Sequence, residues 1–159
     1  MAGGTADHAT IAVNAILALG SALRGKSCRP FSSDMRLRLQ YSGQTRFYYP
    51  DAFVVCEPNT GGNLFQDRPV VVLEVLSEST RRTDLGEKRE AYQMLPSVKV
   101  LMFVEPDRPY VLVDRRSEGG AFSAEAYSGL DATVPLPEIG CSLSLAELYE
   151  HIAFSETSP

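Results

Sequence analysis

Glu74 stands inside Pro69-Val70-Val71-Val72-Leu73-Glu74-Val75-Leu76-Ser77, the most apolar stretch of a 159-residue chain. A run this rich in β-branched residues reads as a strand buried on both faces. An ionised carboxylate there costs several kcal/mol, by rough estimate, unless a cation meets it. Two flanking segments offer partners. Tyr48-Tyr49-Pro50-Asp51 puts a second acid, Asp51, at the mouth of another apolar strand, and Asp84-Leu85-Gly86-Glu87-Lys88 opens a helix with a lysine in its first turns. Leu85, Lys88, Tyr92 and Leu95 share one helical face, so Lys88 is expected on the stripe that points back at the sheet. Two carboxylates and a lysine converging in this way make a hard, oxygen-rich site suited to Mg²⁺ or Mn²⁺ rather than zinc. Such an ion polarises a phosphate and lowers the pKa of bound water. Lys88 would then orient the water or offset transition-state charge. The same residues also read as a buried Glu74–Lys88 ion pair beside an ordinary turn aspartate; Asp84 would either support the site or be spent on helix capping, with Glu87 three residues on.

The elements that must position these groups follow from periodicity. Residues 6–24 carry Ile11, Ala12, Ala15, Ile16, Leu19 and Leu23 at helical spacing, with Gly25 as the stop. Met35, Leu37 and Leu39 alternate with Arg36, Arg38 and Gln40, a strand with one wet face that turns at Tyr41-Ser42-Gly43-Gln44 into a second strand near 45–49. Residues 51–56 and 70–77 are interior strands joined by a polar loop over 57–68. A second helix covers 84–95, strands cover 98–104, 110–113 and 122–127, and a short amphipathic helix covers 144–151. The order predicts an α/β sandwich around a mixed sheet.

One domain is expected over residues 1–159, with 155–159 frayed. A net charge of -5 argues against a general nucleic-acid coat. Local basic clusters remain, at Arg36 and Arg38, at Arg81, Arg82, Lys88 and Arg89, and at Arg115-Arg116. Cys28, Cys56 and Cys141 are widely spaced and odd in number, so they are read as reduced thiols of a cytoplasmic protein, with no zinc spacing among them. The apolar stretch 10–23 lacks the length and flanks of a signal peptide or membrane span.

Tyr48-Tyr49-Pro50-Asp51, then Leu73-Glu74-Val75-Leu76-Ser77-Glu78-Ser79-Thr80, then Asp84-Leu85-Gly86-Glu87-Lys88 resemble a bacterial restriction-endonuclease family of the PD-(D/E)xK nuclease superfamily. The likeness covers nearly the whole chain and includes His8 and Asn14 in the first helix, Ser33-Asp34, and Leu148-Tyr149. It implies a restriction-endonuclease-like mixed β-sheet flanked by helices, with an added antiparallel hairpin. It also implies a Mg²⁺-dependent (or Mn²⁺-dependent) DNA endonuclease with no organic cofactor; one metal site per chain cuts one strand, so a homodimer is expected for double-strand cleavage, with no membrane partner. The superfamily's lysine stands two residues after the second acid, where this chain has Leu76, so the chain looks like the variant whose lysine has moved to the next helix. By carry-over Asp51, Glu74 and the backbone carbonyl of Val75 would hold the metal, and Lys88 would assist catalysis. Asp34 would extend the metal shell or cap a turn. His8 and Asn14 would contact phosphate or satisfy the polar end of a packed helix. Ser77 would shape the strand-to-helix connection or touch the site, and Arg81, Arg82 and Arg89 would contact phosphate. Two further classes of function fit the same residues: a nuclease-like scaffold that no longer cuts, and a metal-dependent phosphoesterase of small substrates.

Overall fold

The computed structural model describes residues 4–155. Six strands form the central sheet in the order β1 (Arg29–Ser32), β4 (Ala52–Val55), β6 (Pro69–Val75), β7 (Val100–Val104), β8 (Tyr110–Arg116), β9 (Phe122–Ser128). β6 and β7 run parallel and every other neighbouring pair is antiparallel. A parallel pair needs a crossover, and residues 81–93 supply it as helix.

β4, β6 and β7 are buried on both faces, as their unbroken apolar runs predict. Alternation sends Leu73 and Val75 to one face and Val72, Glu74 and Leu76 to the other. The first face packs on α1 (Ala6–Ala22) through Ile11, Ala15 and Leu19, together with α4 (Leu145–Leu148) and the hairpin of β10 (Thr133–Leu136) and β11 (Cys141–Ser144). The second packs on α3 (Arg89–Gln93) through Ala91 and Tyr92, and on a small sheet ordered β3 (Gln44–Tyr48), β2 (Arg36–Tyr41), β5 (Phe65–Gln66). Glu74 therefore points into the layer that carries the crossover helix and the antiparallel hairpin β2–β3.

Several expectations need correction. The loop expected over 57–68 contains β5, two residues that pair parallel with Arg36 and Leu37. Strands β1, β10 and β11 were not expected; each is four residues long, Pro30 and Pro135 interrupt β1 and β10, and β11 offers Leu143 between two serines. Cys28 and Cys56 are disulfide-bonded rather than reduced, and Cys141 is the free thiol. The cause is register: Arg29 pairs with Val55, so the next residues outward along the antiparallel ladder, Cys28 and Cys56, face one another. No helix of the described residues is long and apolar enough to cross a membrane. The expected fraying of 155–159 falls, beyond Ser155, outside the described residues.

Candidate active site

Asp51 lies just ahead of β4, and the ladder that pairs Ala52 with Leu73 sets it opposite Glu74. The two acids are latched through each other's backbone. The Asp51 N–H donates to Glu74 Oε1 at 3.2 Å, and the Val75 N–H donates to Asp51 Oδ2 at 2.7 Å. This places both at the C-terminal end of the parallel strand β6, where open α/β sheets bind ligands.

The helix above them does not begin at Asp84. It starts with α2 (Arg81–Thr83), continues as a π-helical turn (Asp84–Lys88) and finishes as α3. Ser77 sets that start: its Oγ accepts from the Thr80 N–H at 3.1 Å and its carbonyl from the Arg81 N–H at 2.9 Å. The capping role expected for Asp84 is thus overturned, because its backbone is already helical and its side chain is buried beside the acids. Glu87, the expected other half of that cap, reaches outward to Arg46 at 2.6 Å and to the Tyr48 hydroxyl at 3.2 Å.

Lys88 Nζ lies 3.1 Å from Glu74 Oε2 and 3.1 Å from Asp84 Oδ1. The first contact is a hydrogen bond. The second lacks hydrogen-bond alignment, so Asp84 Oδ1 is a buried oxygen with no hydrogen-bond partner. The Tyr92 hydroxyl, absent from the sequence-based site, donates to Glu74 Oε2 at 2.9 Å. Its signal was present, since Tyr92 follows Lys88 by four residues on the same stripe. From the opposite layer His8 Nε2 reaches the Val75 carbonyl at 2.9 Å and Asp51 Oδ2 at 3.5 Å. Both of those oxygens only accept, so Nε2 must carry the hydrogen.

Three acids against one ammonium leave the site electronegative. Burial, reinforced by Asp51 and Asp84 and opposed by Lys88 and the Tyr92 hydroxyl, pushes the Glu74 carboxyl up to about 7. Burial also raises Asp51, against the pull of the Val75 N–H and His8. For Lys88 burial works the other way, but Glu74 and Asp84 outweigh it and hold the ammonium above the usual lysine value. Burial and Glu74 keep Tyr92 well above the tyrosine range, a fixed donor. Tyr92→Phe is expected to cost about 2 kcal/mol, as for a hydrogen bond to a charged acceptor, read from the urea midpoint above pH 8.

The remaining candidates lie outside this cluster. Arg81 grips Glu105 with two hydrogen bonds at 2.6 and 2.5 Å, and Arg89 grips Asp114 with two at 2.6 Å. Their expected role as phosphate contacts gives way to internal ion pairing, because both carboxylates are buried and need a cation. Arg82 is exposed. Asn14 donates to the carbonyls of Leu148 at 3.0 Å and Glu150 at 2.8 Å, tying α1 to α4 rather than facing a substrate. Asp34 is exposed in the β1–β2 turn, where its N–H donates to Ser32 Oγ at 3.3 Å.

Mg²⁺ takes oxygen donors, and those present are of the right kind: carboxylates of Asp51 and Glu74, the Val75 carbonyl and the unpartnered Asp84 oxygen. Two of them, Asp51 Oδ2 and the Val75 carbonyl, already converge on one point, occupied by His8 Nε2. No three His, Cys, Asp or Glu side chains form a ready-made metal cluster among the described residues. The donor chemistry fits, and His8 must move for those two oxygens to turn to a cation. A hollow of about 720 Å³ between Arg46, Met94 and Phe122 holds none of these acids.

A mixed sheet flanked by helices, with acids at the end of its parallel strand, makes this an α/β protein. A crystal structure described as "a putative nuclease belonging to DUF820" from Anabaena variabilis superposes with a TM-score of 0.71, covering 92% of this chain and 82% of that one at 20% identity. An uncharacterized protein of Synechocystis sp. is 28% identical over 155 residues, 97% of this chain and 80% of its own length. Residues 1–146 match the model of the Uma2 family, described as "Putative restriction endonuclease". The chain belongs to the Uma2 family.

Proposed function

We infer that this chain is a Mg²⁺-dependent endonuclease that hydrolyses DNA phosphodiesters. The observation that carries the reading is the buried latch of Asp51 and Glu74 under Lys88, with an orphaned Asp84 oxygen beside it. Asp51, Glu74 and the Val75 carbonyl would hold the ion, which when bound supplies Lewis-acid polarisation of the phosphate and a more acidic water. Tyr92 fixes Glu74 by donating to its Oε2 and leaves Oε1 for the Asp51 N–H. Lys88, the one ammonium among these groups and about one-fifth exposed, presents its charge to phosphate oxygens at the mouth. DNA is the substrate in this reading, and two copies of the chain would cut the two strands. The Cys28–Cys56 disulfide lies at the far end of β4 from Asp51 and takes no part in this chemistry; the compartment in this reading is the cytoplasm.

A second reading, a nuclease-like scaffold that binds without cutting, is favoured by one observation: His8 stands where the cation would draw on Val75 and Asp51. Nicking of supercoiled plasmid with Mn²⁺ decides between them. The native chain is expected to nick, and Glu74→Ala purified identically to lose at least about 10²-fold, as for removal of one preorganised electrostatic group. Equal residual cutting by both overturns the endonuclease reading.

A further inference from the structure

We propose that the groove between α1 and Tyr49 is a subsite for an unpaired nucleobase of the strand being cut, so that each copy of the chain acts on DNA where that strand is locally unpaired. The inference rests on the endonuclease reading and adds the substrate class to it. The groove is about 540 Å³ and is continuous with the candidate site, since His8 and Asp51 line its inner end. That volume lies in the range of small-ligand clefts.

Its walls are chemically one-sided. Along α1 run Val13 and Ile16, with Ala9 and Ala12 leaving the width open. Val13 is 57% exposed and Tyr49 on the facing wall is 54% exposed, a large apolar surface for residues that flank a half-buried acid. Beside Tyr49, Ser32 and Ser33 add small hydrogen-bonding groups. No lysine or arginine lines the groove among the described residues.

Those features select the occupant. A phosphate would find no cation there and would meet Asp51, so it belongs on the Lys88 side of the acids. A duplex keeps its bases stacked and offers only backbone and groove edges to a cleft of this size. A splayed base is flat, apolar on its faces and polar at its rim, which matches an aromatic ring opposite an aliphatic wall with hydroxyls at the edge. Tyr49 stands two residues before Asp51, so a base stacked on it adjoins the phosphate that the acids address.

The test is binding of fluorescent oligonucleotides carrying 2-aminopurine, single-stranded or in full duplex, without metal to prevent turnover. Single strands are expected to bind at least about tenfold tighter than duplex and to quench the probe, with Tyr49→Ala losing about tenfold and Tyr49→Phe retaining affinity, because a stacking face is what is required. Equal affinity for both forms with Tyr49→Ala unchanged overturns the proposal. So does a Val13→Glu variant that turns a dimer into a monomer with single-strand binding intact, since the groove would then be a subunit interface. Absence of Mn²⁺-dependent cleavage on either substrate, with single-strand preference and its Tyr49 dependence present, would sink the endonuclease reading and leave the base subsite standing.

Discussion

Replacing Lys88 with alanine is expected to abolish plasmid nicking, by about 10²-fold or more, and to destabilise the metal-free protein by about 3 kcal/mol at pH 8. Both effects come from one ammonium. It is the cation in contact with both Glu74 and Asp84, each about 3% exposed at the side chain. Without it Glu74 keeps the Tyr92 hydroxyl and the Asp51 N–H, whereas Asp84 Oδ1 loses its nearest charge. The stability loss should shrink as pH falls toward 5, because protonating Glu74 relieves the same excess of negative charge. Adding Mn²⁺ should recover part of the midpoint without restoring nicking, since a cation held by the acids supplies charge but not the ammonium's position. Urea denaturation with and without Mn²⁺ checks each part, and a Lys88→Ala protein that nicks normally would remove Lys88 from the mechanism.

The second large effect is a stability that declines as pH rises. The Glu74 carboxyl is raised in the folded chain from 4.5 to about 7, chiefly by burial. A group raised on folding contributes its full stability below the unfolded value and loses it as pH passes through the folded value. The window is therefore pH 4.5 to 7. At about 1.4 kcal/mol per pH unit the change amounts to roughly 3 kcal/mol. Asp51, also raised, acts in the same direction. Glu105 acts oppositely, because Arg81 holds it below its ordinary value, so its contribution is lost only as pH falls below 4.5. Metal-free unfolding free energies measured from pH 5 to 8 should slope downward in the native chain and flatten in Glu74→Gln. A flat native profile would mean that Glu74 is ionised throughout.

The acids were legible in the sequence for a physical reason. A carboxylate in the middle of Val71-Val72-Leu73-Glu74-Val75 violates the pattern of its own strand, and a violation of that kind needs a partner nearby. Helical spacing then singled out Lys88. The capping alternative for Asp84 arose because a carboxylate near the start of an apolar-periodic segment looks like a cap; the true start at Arg81 is set by Ser77 and lies in residues with no apolar period. Arg81 and Arg89 were misassigned because their partners, Glu105 and Asp114, come from β7's end and β8, 24 and 25 residues away. No spacing rule spans that distance. The Cys28–Cys56 bond was hidden for the same reason, being a product of strand register across 28 residues of chain.

The π-helical turn from Asp84 to Lys88 gives the crossover helix one residue of slack relative to regular winding. Each residue of an α-helix advances about 100° around the axis, so that slack is a phase setting. It lets Arg81 face Glu105, Lys88 face Glu74, and Arg89 face Asp114 from a single continuous rod. A change of length within 84–88, however conservative in composition, would therefore act as a rotation rather than a substitution. Every side chain would be kept, and the lysine would be turned off the acids.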